Sequence, residues 1–207
     1  NIQAGDNTNR LNYSNTSSLI YPVSTVAILD NANNNANLSL PAIGSTNSLG
    51  INKNIIIDTT SPTITNVTSS KNNDTYSVGE LIPINIQFSE NVYVTGNPSL
   101  SLNSGGSATY ISGTSTNTLT FNYIVSTNEN TSDLDYNQTT IVLDAANSIR
   151  DLAGNIANTT LPTAGSSTSL AGNKDIIVDT LGPTITNVTS SITNGSYSIG
   201  SVIPISV

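Results

Sequence analysis

The sequence predicts an all-β protein made of tandem repeats, each an antiparallel β-sandwich of about 121 residues. Three observations predict this fold. The chain repeats itself at a fixed spacing, short stretches alternate apolar and polar residues, and turn-forming residues separate those stretches. Much of the polar surface is Asn, Ser and Thr, which disfavour helix interiors because their side chains compete for backbone hydrogen bonds.

The repeat is clearest where residues 58–70 read DTTSPTITNVTSS and residues 179–191 read DTLGPTITNVTSS. Pro62 and Pro183 lie 121 positions apart. Four further pairs have the same spacing, namely Pro41 and Pro162, Lys53 and Lys174, Tyr76 and Tyr197, and Pro83 and Pro204. Ordered agreement of this kind is the signature of a repeat architecture.

The repeat divides the chain into three parts. Residues 1–57 correspond to the end of one copy, residues 58–178 to a complete copy, and residues 179–207 to the start of another. Residues 10–13 match residues 133–136 at a spacing of 123, so the earlier copy carries two extra residues. Together the partial copies lack the middle of the repeat, which favours excision from a longer array over one chain completing the next.

Alternation within the complete copy predicts its strands. In residues 81–88 it places Ile82, Ile84, Ile86 and Phe88 on one face, and in residues 118–125 it places Leu119, Phe121 and Tyr123 on one face. Shorter strands are predicted at 63–67, 91–94, 99–102, 108–111, 140–143 and 174–178. Turns are predicted at 71–74, 95–98, 103–106, 127–130 and 151–155.

Seven or more short strands in one copy indicate a two-sheet sandwich of immunoglobulin-like type. A β-solenoid is the alternative, but its repeats are usually about 20–30 residues long. One turn is supported by both copies, because Gly154 aligns with Asn33, and these two residue types tolerate a left-handed backbone best. We therefore expect a left-handed conformation at both positions.

Composition excludes several classes of function. Only 5 residues are basic against 13 acidic, which argues against nucleic-acid binding because phosphates require clustered Lys and Arg. No apolar run approaches the length of a membrane span. His and Cys are absent, which removes the commonest general base and the thiol nucleophile. Asp133 and Asp135 could form a catalytic carboxylate pair, but we interpret them as a solvated acidic edge of a strand and predict no enzyme.

Several motifs resemble the bacterial immunoglobulin-like repeats of giant surface adhesins and related cell-surface proteins. The most specific are DTTSP at 58–62, FSENV at 88–92 and DLAGN at 151–155, and the similarity covers nearly the whole chain. The resemblance implies an extracellular location at the cell surface. It also implies repeats arranged as beads on a rod, often stiffened by calcium between domains.

Oxygen-bearing side chains are predicted to meet at the junction between copies. In an antiparallel sandwich, the entering linker with Asp58, the loop after residues 81–88 with Glu90, and the loop with Asp151 and Asn155 all lie at one pole. Asp179 would serve the following junction. Calcium prefers several oxygen ligands, so it is the expected cation, although Asp58 and Asp151 could instead only shape turns.

The sequence thus favours a non-enzymatic stalk or extender segment whose partners are the neighbouring repeats of its own chain. Pro62 stiffens a linker that lacks a flexible Gly/Ser spacer, which favours limited bending. Two alternatives remain open. The chain could be a subunit of a self-assembling extracellular filament or sheath, which would associate with like subunits through strand edges, or a module that binds glycans or proteins.

Overall fold

The structure is a computed structural model that describes residues 1–20 and 27–207. This part of the chain is mostly β-structure. Its strands are β1 (Ile64–Ser69), β2 (Asp74–Tyr76), β3 (Leu81–Thr95), β4 (Ser99–Ser101), β5 (Ser107–Ser112), β6 (Thr116–Ile124), β7 (Ser148–Arg150) and β8 (Ile176–Val178). Two single-turn helices are α1 (Leu49–Asn52) and α2 (Leu170–Asn173), which lie 121 positions apart.

Six strands form one antiparallel sheet. Its order is β1-β3-β6-β5-β4, and β7 pairs with the last residues of β3. Strand β3 is the axis of this sheet, because its first half pairs with β1 and β6 and its final three residues, Tyr93 to Thr95, pair with β7. The β3–β6 register is interrupted between Gln87 and Val92. Irregularities of this kind bend a strand and redirect its side chains.

The core lies against one face of this sheet, on the residues that alternation predicts. Ile82, Ile84, Ile86 and Phe88 of β3 are buried, and so are Leu119, Phe121 and Tyr123 of β6. These faces are matched across the strands, since Ile84 pairs with Phe121 and Ile86 with Leu119. Burying an aliphatic or Phe side chain contributes roughly 1.5–3 kcal/mol, so this pairing is a main source of stability for the fold.

Residues that follow β6 cover the core and the sheet edges. Strand β8 pairs in parallel with β2, and Leu134, Tyr136, Ile149 and Leu170 complete the buried cluster. At the β4 edge, Ser99 and Val142 exchange backbone hydrogen bonds of 3.1 and 2.9 Å. At the β1 edge, Val67 donates its backbone N–H to the Thr168 carbonyl at 2.9 Å. Both ends of the large sheet are therefore paired within the complete copy.

The prediction of an all-β chain is confirmed, with differences in detail. The strands predicted at 81–88 and 91–94 form one continuous strand, β3, because the chain bends there without leaving the sheet. The strand predicted at 140–143 is wrong, since this segment forms only isolated bridges such as Ser99–Val142. Strands β2 and β7 were not predicted, because each contains a single apolar residue, Tyr76 or Ile149, which is too few for an alternation signal.

The two partial copies differ from the complete copy. In residues 1–20 and 27–57, the structure describes isolated bridges and α1 but no extended strand. Residues 179–207 are joined by a single bridge, Thr189–Ser206. None of the helices in the described part of the chain has the length and apolar character needed to cross a membrane.

Candidate metal centre

Three carboxylates meet where the complete copy joins the segment before it. Asp58 opens the linker, Glu90 lies in β3 within the irregular stretch, and Asp151 directly follows β7. One carboxylate oxygen from each residue lies within 4.8 Å of the other two. The structure thus brings together three of the five predicted ligands from positions far apart in the sequence.

Asn155 holds the Asp151 carboxylate in place. The Asn155 backbone N–H donates to Asp151 Oδ1 at 2.8 Å, and Asn155 Nδ2 donates to Asp151 Oδ2 at 2.7 Å. The same Nδ2 donates to the Asp58 carbonyl at 3.1 Å. Asn155 is therefore adjacent to the predicted ligands, but its amide nitrogen positions Asp151 and the linker in this arrangement.

The loop from Asp151 to Asn155 depends on a left-handed residue. Gly154 has a φ of 94°, and Asn33, its equivalent in the first copy, has a φ of 65°. The expectation of a left-handed backbone at both positions is confirmed. The first copy has hydrogen bonds equivalent to those between Asn155 and Asp151. Asn34 donates from its backbone N–H to Asp30 Oδ1 and from its Nδ2 to Asp30 Oδ2, at 2.9 Å each.

The electrostatics of the three carboxylates favour a cation. Partial burial is the main cause that raises the pKa of Glu90, and the neighbouring charges of Asp58 and Asp151 raise that pKa further. Asp151 is itself buried. Carboxylates in such proximity repel one another, and a divalent cation with oxygen ligands at about 2.3–2.6 Å would remove that repulsion.

Clefts border Asp58 on two sides. One has a volume of ≈ 300 Å³ and is lined by residues 7–9 and 56–58 together with Thr60 and Glu90. The other is lined by Ile56, Asp58, Leu152 and Ala153. Solvent therefore reaches the carboxylate of the linker, which gives a cation a path into the group.

Asp179 occupies the equivalent place at the second junction. It lines a cleft of ≈ 300 Å³ together with residues 130–132 and with Ile177, Val178 and Leu181. Among the described residues it belongs to no group of three metal-ligating side chains. Asp179 is the one acidic residue among the described residues that line this cleft.

Sequence analysis missed a pair of residues that clamps each junction. The Thr59 backbone N–H donates to Asn7 Oδ1 at 2.8 Å, and the Thr180 backbone N–H donates to Asn130 Oδ1 at 2.8 Å. The signal was present, because Thr59 and Thr180 are separated by 121 positions and Asn7 and Asn130 by 123. These are the spacings already found for the linkers and for the Tyr13 region.

The interpretation of Asp133 and Asp135 as a solvated strand edge is wrong, because both residues lie outside the regular strands and both are at least partly buried. Asp135 is 4% exposed, lies outside the regular strands, and accepts hydrogen bonds from the backbone N–H groups of Tyr136 and Gly165 at 2.9 and 3.0 Å. Asp133 is partly buried, and that burial, followed by the charges of Asp175 and Asp135, raises its pKa. Asp135 is thus engaged in holding two loops together.

Comparison with known proteins gives no family for this chain. No protein-family model matches it, and neither a curated protein nor a solved structure shows significant similarity to it.

Proposed function

We propose that this chain is a non-enzymatic extracellular stalk or extender segment of a bacterial surface adhesin, built from immunoglobulin-like repeats and stiffened by calcium at the repeat junction. The observation that carries the proposal is the meeting of Asp58, Glu90 and Asp151, with oxygens within 4.8 Å, at the linker between two copies. A cation bound there would tie the linker to two separate parts of the complete copy.

The linker is already held from both sides. Towards the first copy, Thr59 Oγ1 accepts a hydrogen bond from the Gly5 backbone N–H at 3.0 Å, in addition to the bond from its own N–H to Asn7. Towards the complete copy, the Pro62 carbonyl accepts from the Asn158 backbone N–H at 2.8 Å. A linker bonded in this way resists bending, which is the property a stalk requires.

Repetition of local contacts supports an array of similar units. Tyr136 donates its hydroxyl to the Pro162 carbonyl, and Tyr13 donates to the Pro41 carbonyl. The Ser126 backbone N–H donates to Glu129 at 2.8 Å, and the equivalent Gln3 N–H donates to Asp6 at the same distance. Equivalent residues thus make equivalent bonds, as expected if each copy forms the same structure when complete.

The filament alternative is less well supported for the complete copy. Polymerisation through strand edges needs unpaired backbone groups. The outer edges of β1 and β4 are instead bonded to Thr168 and Val142. A binding module for glycans is also less well supported, because Tyr76, Tyr123 and Tyr136 are buried and the described part of the complete copy therefore offers few exposed aromatic rings.

Calcium binding is tested by thermal unfolding with calcium and with a chelator. A ligand that binds only the folded state at 100 times its Kd adds about 2.7 kcal/mol, so we expect Tm to rise by roughly 5–10 °C. Asp58→Asn should abolish most of this rise. Asp179→Asn is the matched control, because both carboxylates accept a bond from the N–H two residues later, Thr60 or Leu181, at 2.9 Å.

A calcium-dependent Tm that both variants retain would contradict this site. Loss of the response in both variants would point to a general effect of acidic charge. Rigidity is measured separately by small-angle X-ray scattering with and without calcium. We expect a narrow distribution of lengths that narrows further with calcium, whereas freely jointed copies in both conditions would contradict a stalk.

A further inference from the structure

A cleft of ≈ 410 Å³ lies within the complete copy and contains none of the junction carboxylates. It is lined by residues 136–139 and 160–164, none of which carries a charge. Its volume is in the range of pockets that bind small ligands, which are mostly apolar with a few placed polar groups. We therefore expect a neutral ligand in this cleft, in contrast to the cation expected at Asp58.

The cleft lies where two paired segments separate. The Leu161 backbone N–H donates to the Thr139 carbonyl at 2.8 Å. Pro162 follows and has no N–H, so it cannot donate to the opposite segment. The Tyr136 hydroxyl donates to the Pro162 carbonyl instead, and no backbone hydrogen bond joins the described residues 136–138 to residues 162–164. The pairing therefore ends at Leu161, and the cleft occupies the opening.

Backbone groups at this opening lack protein partners. Opposite residues in an antiparallel ladder can exchange two hydrogen bonds. Thr139 and Leu161 make only one, and the Thr139 N–H and the Leu161 carbonyl bond to no described residue. The opening thus presents a donor on one segment and an acceptor on the facing segment. An extended peptide satisfies both kinds of group, because its own backbone carries carbonyls and N–H groups.

The side chain of Gln138 adds a further unsatisfied donor. Its Nε2 is buried and has no hydrogen-bond partner among the described residues, which destabilises the fold. The equivalent Asn15 in the first copy is satisfied locally, because its amide bonds to Ser14 Oγ and to the Ser17 N–H. The terminal torsion of Gln is broad. Rotation about that torsion turns Nε2 towards an acceptor that enters the cleft.

We propose that this cleft binds a short, neutral, extended peptide segment of a partner protein. The peptide backbone bonds to the Thr139 N–H and the Leu161 carbonyl, one of its carbonyls accepts from Gln138 Nε2, and a small aliphatic side chain packs against Leu161 and Pro162. A sugar is less well matched, because the Tyr136 ring is buried and offers no exposed aromatic platform. This inference requires neither calcium nor a rigid linker, and it gives each complete copy a holding site of its own.

The test titrates the full chain, nitrogen-labelled and in chelator, with acetyl-alanyl-valyl-alanine amide and separately with maltose, followed by NMR. The peptide should give saturable shifts of the Thr139 amide and the Gln138 side-chain amide, with a Kd on the order of 1 mM or below. Gln138→Leu should weaken binding by about 2–10-fold, because one hydrogen bond is lost. The same variant should raise the Tm of the free chain by about 2–4 °C, since an unsatisfied buried donor is removed.

Gln87→Leu is the matched control, because Gln87 is exposed on β3 and does not line the cleft. It should leave both the Kd and the Tm of the free chain unchanged. Absence of shifts with peptide at about 10 mM, ten times the expected Kd, overturns the proposal. Saturable shifts with maltose alone make the cleft a sugar site and this occupant wrong. A Gln138→Leu chain with lower Tm and unchanged affinity for the peptide shows that the amide serves only the fold, which also contradicts the proposal.

Discussion

The complete copy and the segments that flank it contain the same residue types at a spacing of 121, yet they differ in burial. Ile84 is inside the core and Ile205 is on the surface; Leu170 is buried and its equivalent Leu49 is 36% exposed. The local bonds, in contrast, are retained, as in the pairs Ser69–Pro83 and Ser190–Pro204. Short-range geometry therefore follows from the local sequence, whereas a core needs all the strands of one copy.

The largest difference between the regions is expected for a core isoleucine. Ile84→Ala should lower the free energy of unfolding by about 2–5 kcal/mol, because it removes buried methyl groups and leaves a cavity. Ile205→Ala is the matched control and should change the free energy of unfolding by less than about 0.5 kcal/mol. Urea unfolding followed by circular dichroism measures both. Equal effects would mean that the two regions are packed alike.

A smaller difference is expected for the tyrosine hydroxyls. Tyr136→Phe removes the donor to the Pro162 carbonyl, 2.5 Å away, in a side chain that is 2% exposed. The loss should be about 0.5–1.5 kcal/mol, since a part-buried hydrogen bond is removed and the carbonyl is left without that partner. Tyr13→Phe removes the equivalent bond in the partial copy, where water can replace it, and should have a smaller effect. The comparison uses the same denaturation curves.

The smallest effect concerns the charge of Glu90 in the absence of metal. The pKa of Glu90 is raised in the folded state by burial and then by the charges of Asp58 and Asp151. Folding therefore favours the protonated form of this carboxyl. The stability associated with that proton is present below the unfolded pKa and is lost as pH rises through the folded pKa. Stability in chelator should therefore fall over this range in the wild-type chain.

Glu90→Gln should flatten this pH dependence and raise the neutral-pH Tm in chelator by roughly 1–3 °C. In calcium the same variant should lower Tm, because a ligand is lost. A change in Tm that is positive in chelator and negative in calcium distinguishes a cation-binding carboxylate from one that only stabilises the fold. Wild-type and variant melting curves between pH 4 and 8 are sufficient to measure it. A variant that is destabilised in both solutions would contradict the expectation.

Alternation of apolar and polar residues predicted the strands that bury one face and expose the other, such as residues 81–88 and 118–125. It failed for β2 and β7, which each contain one apolar residue. These strands are set by pairing with distant neighbours, Asp74–Tyr76 with β8 and Ser148–Arg150 with the end of β3. The carboxylates of the junction were predicted because an antiparallel sandwich places the entering linker and the loops with Glu90 and Asp151 at one pole, although Glu90 proves to lie within β3 and not in a loop. The buried state of Asp135 could not be predicted, since it depends on Gly165 from a later loop.

The register of β8 has a mechanical consequence. The chain enters the complete copy at Asp58 beside Glu90 and leaves it after Val178, where the Asp179 N–H bonds to Tyr76 just before β3 begins. Leu81 and Glu90 are nine residues apart on β3, about 30 Å along an extended strand. At its exit the copy is held by the bonds of β8 to β2 and to Thr131. Because β8 is bonded both to β2 and to Thr131, it cannot leave the copy without breaking both sets of bonds.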